Sequence, residues 1–344
     1  MNRPHVLVVD DSAVVRQAFS MLLAQQFSIE TAPDPLIAEQ KMRKRRPDVV
    51  VLDLQMPRMD GFTFLRQIMR NDPLPVVICS AAAARGSEAA MRALEEGALD
   101  VIAKPPVGVR EFIADSVVLI GDALRAATRS RLRRPRAGAA PLVGTATAVG
   151  GGRHDIIAIG ASTGGTEALR EIIEALPENA PAMLVVQHMP EGFTAAFAKR
   201  LNSLARVEVK EAVQGDAVVR GRVLIARGNQ HMLLRRSGDR YYVQLCNGPL
   251  VSRHRPSIDV LFRSVAQTAA AKSLGVILTG MGDDGADGLA EMHAAGARTI
   301  AQDEATCIVF GMPKEAIERG GVDHVLPLSR IAAALAPRSA EDLH

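Results

Sequence analysis

The chain has 344 residues, with a hydrophobic fraction of 48% and a charged fraction of 23%, values typical of a soluble globular protein with room for two cores. The net charge of +3 is too small to indicate a nucleic-acid partner, and 3% aromatic residues without Trp disfavour base stacking. Three cysteines without CxxC spacing argue against a disulfide framework and a zinc site. No apolar run approaches the roughly 20 residues of a membrane span, and Met1–Pro4 lead into a predicted strand rather than a signal peptide. We therefore expect a cytoplasmic protein.

Residues 5–125 alternate predicted strands and helices about five times. The strands are predicted at His5–Val9, Ser28–Thr31, Asp48–Leu52, Val76–Cys79 and Leu99–Ile102, and the last helix at about Val109–Ala126. Such alternation indicates a parallel sheet with helices on both faces. The first domain is predicted to cover residues 1–124.

A change of composition follows the first domain. Arg125 to Arg136 contain six arginines and no acidic residue, and Ala137–Gly152 is rich in Ala, Gly and Thr. An arginine cluster can bind nucleic acid, but no aromatic residue interleaves with this one, which favours a solvated hinge. Residues 125–152 are predicted to be an interdomain linker.

A second α/β pattern runs from Arg153 to about Leu335, and the second domain is predicted over residues 153–340. Its fold is predicted as a doubly wound, mostly parallel sheet. Within it, Gly221–Ala226, His231–Arg235 and Tyr241–Leu245 are predicted to form a small antiparallel insertion, with a turn at Ser237–Asp239.

Acidic residues end two strands of the first domain. Asp10 and Asp11 follow the first strand, and Asp53 follows the third. Because the carboxyl ends of parallel strands share one edge of a sheet, these side chains are expected to lie in one pocket. Three adjacent carboxylates repel unless a cation joins them, and hard oxygen ligands suit Mg²⁺.

Two further polar residues follow the fourth and fifth strands, at Ser80 and Lys104. Beside the carboxylates, Lys104 could pair with a phosphoryl group on Asp53, and the Ser80 hydroxyl could donate to it. Taken singly, Asp10 and Asp11 could cap a helix, and Lys104 could be a surface lysine. The combination at consecutive strand ends favours a phosphoryl site.

Four features together resemble the receiver domain of two-component response regulators over about residues 4–125. They are Val8–Ser12, Asp53–Gly61, Ser80 and Lys104-Pro105. The resemblance implies a five-stranded flavodoxin-like fold and phosphorylation of Asp53 by a histidine kinase. It also implies Mg²⁺ held by Asp10 or Asp11, by Asp53 and by the backbone carbonyl of Gln55.

The same resemblance carries two finer implications. The Lys104–Pro105 peptide bond is usually cis in the family. Many receivers have Tyr or Phe three residues before the lysine, whereas this chain has Val101, so the usual aromatic switch is in doubt.

In the second domain, three short apolar runs each lead into a residue that hydrolytic chemistry needs. Ser162, His188 and Asp284 follow the runs at 156–159, 182–187 and 276–279. If these runs are parallel strands, the three side chains gather at one sheet edge with the roles of nucleophile, base and base-orienting acid. Alone, Ser162 could be a helix N-cap and His188 a core histidine, but the set predicts a serine hydrolase.

Residues 160–164 fit G-x-S-x-G, a strand–turn–helix pattern that exposes a nucleophilic serine. An α/β-hydrolase places its acid between the serine and the histidine, whereas here His188 precedes the candidate acids. The order Ser–His–Asp therefore indicates a different fold with convergent chemistry.

A rival interpretation comes from Gly280–Gly285, which fits the G-x-G-x-x-G turn of dinucleotide sites, with Asp303 about twenty residues on. Two acids inside that turn would repel a pyrophosphate, which weakens this alternative. A dinucleotide-binding enzyme under receiver control and a non-enzymatic signalling adaptor are the two alternatives.

The second domain also resembles the catalytic domain of the bacterial chemotaxis protein-glutamate methylesterases. The matching segments are Ile159–Gly165, Gln187–Pro190, His254–Phe262 and Thr279–Gly285. The resemblance implies phosphorylation-activated hydrolysis of glutamate γ-methyl esters on chemoreceptors, with deamidation of receptor glutamines, and a Met281 backbone N–H in the oxyanion hole. No catalytic role is assigned to His231 or His254.

The resemblance further implies partners and cofactors. The chemoreceptors are the protein substrate and the chemotaxis histidine kinase is the phosphodonor, with only peripheral association with receptor arrays and no nucleic acid. Mg²⁺ is expected in the receiver domain alone, and the ester step is expected to need no cofactor.

Overall fold

The computed structural model describes residues 3–56, 60–80, 84–104, 110–130 and 154–335. The chain divides into two compact units, residues 1–134 and 135–344. Most of the predicted linker, from residue 131 onward, lies outside the described residues. Of the helices in the described ranges, none has the length and apolar character that a bilayer crossing requires.

The N-terminal unit alternates strands and helices. Its elements are β1 (His5–Val9), α1 (Ala13–Leu23), β2 (Ser28–Ala32), α2 (Pro35–Lys44), β3 (Val49–Leu52), α3 (Gly61–Asn71), β4 (Val76–Ser80), α4 (Ala84–Glu95), β5 (Asp100–Ala103) and α5 (Arg110–Arg129). The five strands are parallel, in the order β2-β1-β3-β4-β5, which confirms the predicted receiver fold. Helix α5 continues past residue 124, so part of the arginine-rich stretch is helical.

Strands β1, β3 and β4 are buried along their whole length, as expected for strands covered on both faces. Strand β2 lies on one side of β1, and β3 lies on the other. The direction in which successive strands are added to the sheet therefore reverses between β1 and β3. The Asp53 N–H donates to the Val9 carbonyl at 2.9 Å, so the ends of these two strands are in register. Residues that follow them therefore meet at the crevice of the sheet.

The C-terminal unit contains a larger parallel sheet and a separate hairpin. Its elements are β6 (Ile156–Ala161), α6 (Gly165–Glu174), β7 (Ala182–Gln187), α7 (Thr194–Leu204), β8 (Glu208–Glu211), β9 (Arg222–Ile225), β10 (His231–Ser237), β11 (Arg240–Cys246), α8 (Ile258–Thr268), β12 (Ser273–Ile277), α9 (Ala286–Ala294), β13 (Arg298–Gln302), α10 (Met312–Glu318), β14 (His324–Leu326) and α11 (Leu328–Leu335). The seven-stranded sheet has the order β14-β13-β12-β6-β7-β9-β8.

One predicted strand belongs to a different sheet from the one expected. The antiparallel insertion consists of β10 and β11 alone, paired from His231–Cys246 to Ser237–Arg240. The predicted strand Gly221–Ala226 is instead β9, which pairs in parallel with β7 and β8. Its interior residues, Val223 to Ile225, are buried, which fits a strand in a covered parallel sheet better than a strand in a two-stranded ribbon.

The first strand of this unit, β6, lies in the middle of its sheet, between β7 and β12. Strands β7, β8 and β9 follow β6 in sequence and lie on one side of it in the sheet. Strands β12, β13 and β14 come later in sequence and lie on its other side. The crevice at the carboxyl end of β6 is thus the switch point at which open α/β sheets bind ligands.

Candidate active site

Ser162 lies at this switch point, directly after β6. Its N–H donates to the Thr279 carbonyl at 3.1 Å, which ties it to the end of β12. A Cβ at Gly280 would lie 2.7 Å from the Ser162 Cβ, so only glycine lets the two turns approach this closely. The serine is half-buried.

The backbone of Ser162 differs from that of the α/β-hydrolase elbow. The non-glycine residues with positive φ in the described ranges are Asn229, Ser252, Arg253 and Ala270, so Ser162 is not among them. An α/β-hydrolase holds its nucleophile on a strained turn. The relaxed turn at Ser162 agrees with the prediction of a different hydrolase fold.

His188 follows β7, the strand next to β6, and its N–H donates to the Ala161 carbonyl at 3.0 Å. The preceding side chain, Gln187, is buried and fixes both turns. Its amide nitrogen donates to the Ser162 carbonyl at 2.9 Å and to the His188 carbonyl at 3.1 Å. Gln187 therefore holds the candidate nucleophile and base together through their backbones.

The His188 ring contacts Asp284 in the turn after β12. The distance from His188 Nε2 to Asp284 Oδ2 is 2.8 Å, and both side chains are buried. A carboxylate only accepts, so Nε2 carries the proton and Nδ1 keeps its lone pair. The His188 Nδ1 is buried and has no hydrogen-bond partner among the described residues. The structure thus leaves the second ring nitrogen available to accept a proton.

The Asp284 carboxylate is held at the N-terminus of α8. Besides the bond from His188, it accepts the Ser257 hydroxyl at 2.7 Å, the Ile258 N–H at 2.7 Å and the Asp259 N–H at 3.2 Å. A helix N-terminus favours negative charge. Burial by itself raises the pKa of Asp284, but the hydrogen bonds outweigh burial and hold that pKa below its usual value. The acid therefore stays ionised and fixed.

The neighbouring acid, Asp283, is directed elsewhere. It is exposed, and its Oδ2 lies 3.1 Å from Arg319 Nη2. Gly285, which follows the pair, has φ +94°, a left-handed conformation that suits glycine and starts α9. The structure separates the two acids, with Asp284 on the histidine and Asp283 at the surface.

A second histidine contacts the first. The rings of His254 and His188 are stacked, with centroids 3.7 Å apart and planes 11° apart. Burial, and then repulsion from His188, lower the pKa of His254 to about 3. His254 is therefore neutral at physiological pH and packs on the base without adding a competing charge.

No role was predicted for His254, and neither Ser257 nor Gln187 was predicted as a site residue. The side chains of all three contact residues of the candidate triad that are far from them in sequence. The only signal was their place inside the family-like segments, since spacing along the chain says nothing about these contacts.

We predict that Ser257→Ala lowers kcat for ester hydrolysis about tenfold, roughly 1.4 kcal/mol of transition-state stabilisation, because Asp284 loses its hydroxyl donor. Ser264→Ala is the matched control. Ser264 is buried on the same helix and hydrogen-bonds Leu234 and Leu261, not Asp284. Both variants should lose about 1 kcal/mol of stability in urea unfolding. Equal kcat values for the two variants would show that Ser257 is only structural.

The predicted oxyanion donor, Met281, lies in the turn between Gly280 and Gly282. No hydrogen bond within the described ranges uses the Met281 N–H. The adjacent Gly280 accepts bonds from Gly311 and Met312 through its carbonyl, which fixes the turn. A free, positioned N–H beside the nucleophile is what an oxyanion site requires.

In the N-terminal unit, the predicted phosphoryl pocket is assembled around Lys104. Its Nζ lies 2.6 Å from Asp53 Oδ2 and 3.0 Å from Asp10 Oδ2. Burial raises the pKa of Asp53, and the bonds from Lys104 and the Gln55 N–H offset this only in part. Burial opposes the charge on Lys104, but its two acidic neighbours outweigh burial and raise the pKa of the ammonium.

The acidic side chains fit a divalent cation. One carboxylate oxygen from each of Asp10, Asp11 and Asp53 lies within 4.8 Å of the others. The Asp10 Oδ2 is buried and lies 3.0 Å from Lys104 Nζ, and because an ionised carboxylate has several lone pairs, Asp10 retains capacity for a cation beside Lys104. Three hard oxygen donors, two of them buried, match the preference of Mg²⁺.

The remaining receiver residues lie around this pocket. Ser80 ends β4 and is buried, and its carbonyl accepts the Lys104 N–H at 2.8 Å. Val101 is buried, so the position of the usual aromatic switch is filled by a small aliphatic side chain. Pro105 lies outside the described residues, and with it the predicted cis bond, as do residues 57–59 of the family-like segment.

The dinucleotide alternative finds no support in the turn at 280–285. The helix that begins in this turn is α9, and Asp283 and Asp284 come directly before its N-cap, Gly285. A pyrophosphate in this turn would meet both carboxylates.

A receiver-type phosphoryl pocket in one unit and a serine, histidine and acid at the sheet crevice of the other define a serine hydrolase with a receiver domain. The CheB methylesterase family model matches residues 157–335, and the response regulator receiver domain model matches residues 6–113. The chain belongs to the CheB methylesterase family.

Two relatives are similar to this chain over almost its full length. The "Protein-glutamate methylesterase/protein-glutamine glutaminase 1" of Anaeromyxobacter dehalogenans is 56% identical over 343 residues, covering 96% of this chain and 98% of the relative. A similarly named protein of Geobacter metallireducens is 55% identical, with the same coverage. The crystal structure of the Thermotoga maritima CheB methylesterase catalytic domain is 42% identical, with a TM-score of 0.52, covering 53% of this chain and 97% of that one.

Proposed function

We propose that this protein hydrolyses glutamate γ-methyl esters on chemoreceptors, releasing methanol, and that phosphorylation of Asp53 activates it. The observation that carries the proposal is the buried 2.8 Å contact between His188 Nε2 and Asp284 Oδ2 beside Ser162 at the sheet crevice. The names of the full-length relatives support the substrate class. Receptor helices that carry such esters face the cytoplasm, which would be the place of action.

Each side chain of the candidate triad has a proposed role in the first step. Ser162 Oγ attacks the ester carbonyl carbon while His188 Nδ1 takes the hydroxyl proton. Asp284 keeps the other ring proton on Nε2 and stabilises the imidazolium that forms. The carbonyl oxygen becomes an oxyanion, for which the Met281 N–H is the proposed donor. The imidazolium then gives its proton to the departing methoxide, which leaves as methanol.

The second step returns the enzyme to its starting state. Water attacks the acyl-serine, His188 Nδ1 accepts a water proton, and that proton returns to Ser162 Oγ as glutamate is released. The same steps on a glutamine side chain would release ammonia, so deamidation needs no additional residue. No group beyond these side chains and backbone donors is required for the ester step.

In the receiver unit, the Asp53 carboxylate is the phosphoryl acceptor, with a histidine kinase as the proposed donor. Lys104, already 2.6 Å from Asp53, would pair with the phosphoryl oxygens, and the Ser80 hydroxyl would donate to them. Mg²⁺ bound by Asp10, Asp11, Asp53 and the Gln55 carbonyl would supply charge neutralisation for the incoming phosphate. The unphosphorylated receiver unit is proposed to hold the esterase rate down.

Methanol release from methylated receptor membranes tests this function. The full chain should be slow alone and faster with acetyl phosphate, and a fragment beginning near residue 150 should be fast without it. Asp53→Asn should abolish the response to acetyl phosphate. The matched control is Asp72→Asn, because Asp72 pairs with Arg46 on the surface of the same unit and should keep the full response.

Two results would contradict the proposal. Absence of methanol release from the fragment would overturn the esterase function. A fragment as slow as the unphosphorylated full chain would leave the esterase in place and overturn inhibition by the receiver.

A further inference from the structure

Next to the candidate triad, the C-terminal unit has a cleft that the proposed chemistry does not use. Its volume is about 350 Å³, and every lining side chain is polar: Glu191, Arg227, Asn229, Gln230, Asn247 and Arg255. Ligand sites for cofactors and small molecules are mostly apolar. An all-polar cleft instead suits a peptide segment that presents charged or amide side chains.

The cleft adjoins the catalytic base on two sides. Glu191 follows the His188-Met189-Pro190 turn directly, and Arg255 follows His254, whose ring stacks on His188. The loop after β9 packs onto the same turn, since a Cβ at Gly228 would lie 2.7 Å from the Glu191 Cα. We therefore expect the residues that flank an ester bound at Ser162 to lie near this cleft.

The floor of the cleft is built by hydrogen bonds centred on Asn229. Its Nδ2 donates to Glu191 Oε2 at 3.1 Å, and its Oδ1 accepts Arg255 Nε at 3.0 Å and Nη2 at 2.6 Å. Arg255 also donates to the Gly248 carbonyl at 2.8 Å. Asn229 has φ +64°, a conformation maintained here by these bonds. The side chains of Glu191 and Arg255 are thus both held in place by Asn229.

One charged side chain of the cleft lining has no hydrogen-bond or ion-pair partner among the described residues. The Arg227 guanidinium is exposed and has no hydrogen bond or ion pair in the described part of the chain. An arginine fork binds a carboxylate through two parallel hydrogen bonds. The lining contains two arginines and one glutamate, so the cleft carries a net positive charge.

We propose that this cleft is a substrate subsite that binds a carboxylate side chain of the polypeptide flanking the ester glutamate, with Arg227 as its charged anchor. The inference rests on the proposed esterase function, whose substrate is a protein. Such a subsite would make the enzyme selective for ester glutamates that are flanked by acidic residues in the substrate sequence. A flanking carboxylate would pair with Arg227, whereas a flanking alanine would not.

Two soluble helical peptides test the subsite, each with one glutamate γ-methyl ester, flanked by glutamates in the first and by alanines in the second. The readout is the ratio of their kcat/KM values, measured as methanol release by the phosphorylated full chain. For the wild type we expect a ratio of about five in favour of the acidic peptide, falling as salt rises. Arg227→Ala should bring the ratio to about one, and Arg227→Lys should give an intermediate value.

Arg240→Ala is the matched control, because Arg240 is an exposed arginine at the turn of the β10–β11 hairpin and should keep the wild-type ratio. An unchanged ratio in Arg227→Ala would overturn the subsite. Equal hydrolysis of both peptides by the wild type would also overturn it while leaving the esterase intact. If the wild type hydrolysed neither peptide, the proposed function itself would be wrong, and the subsite with it.

Discussion

Ser162→Ala is expected to lower methanol release at least ~10³-fold, because the variant lacks the hydroxyl that is proposed to attack the ester carbonyl. The structure places this serine at the end of β6, next to a histidine whose Nδ1 is buried and unpartnered within the described ranges. Only the hydroxyl is removed, so the fold should be unchanged. Phosphorylation of Asp53 by acetyl phosphate should also be unaffected, which can be measured on the same preparation.

A serine on the neighbouring surface provides the control. Ser203 lies on α7, and within the described residues its hydroxyl bonds only to the Arg200 carbonyl, so Ser203→Ala should retain wild-type turnover. Residual activity above a tenth of wild type in Ser162→Ala, a loss of less than about 1.4 kcal/mol, would indicate a different nucleophile.

Asp284→Asn is expected to lower kcat by about 10⁴-fold. The asparagine amide can donate to His188 Nε2, which would move the ring proton to Nδ1, where a lone pair is needed to accept the serine proton. The change also removes the negative charge that stabilises the imidazolium. Loss of a charged acceptor at the N-terminus of α8 should lower stability as well, since Asp284 accepts two backbone N–H groups there.

Asp283→Asn is the matched control for the neighbouring acid. Asp283 lies at the surface beside Arg319, which also pairs with Asp287, so its replacement should change kcat less than about twofold. Steady-state kinetics of both variants on one ester substrate decide the assignment. Greater damage from Asp283→Asn would show that the wrong acid has been chosen.

The positions of the candidate triad could be predicted because they depend on strand ends. Buried parallel strands appear in the sequence as short apolar runs, and the topology of an open sheet brings their carboxyl ends to one edge. The contacts of Ser162, His188 and Asp284 follow from this rule. The same rule predicted the acidic pocket of the receiver unit, where Asp10 and Asp53 meet Lys104.

What the sequence did not predict depends on contacts between distant segments. The orientation of the His188 ring, with Nε2 toward the acid, is set by where the α8 N-terminus holds Asp284. The stacking of His254 depends on a loop that reaches the sheet edge from another part of the chain. Neither arrangement leaves a periodic pattern in the sequence.

The misassigned strand, β9, has a related cause. Its apolar run is short and is followed closely by the β10–β11 hairpin, so proximity in sequence suggested one antiparallel unit. In the fold, β9 pairs with β7, and the backbone hydrogen bonds of a buried strand decide its sheet. Sequence proximity was a poor guide because the chain leaves the main sheet between Ile225 and His231.

Labelling with a serine-directed fluorophosphonate, followed by peptide mass mapping, tests whether Ser162 is a nucleophile activated by His188 and Asp284. We expect one adduct, on Ser162, forming quickly in the wild type and in Asp283→Asn and at least ~10²-fold more slowly in Asp284→Asn. An adduct on another residue would show that Ser162 is not the nucleophile. Labelling of Ser162 at the same rate in both aspartate variants would show that its hydroxyl is not activated through His188 and Asp284.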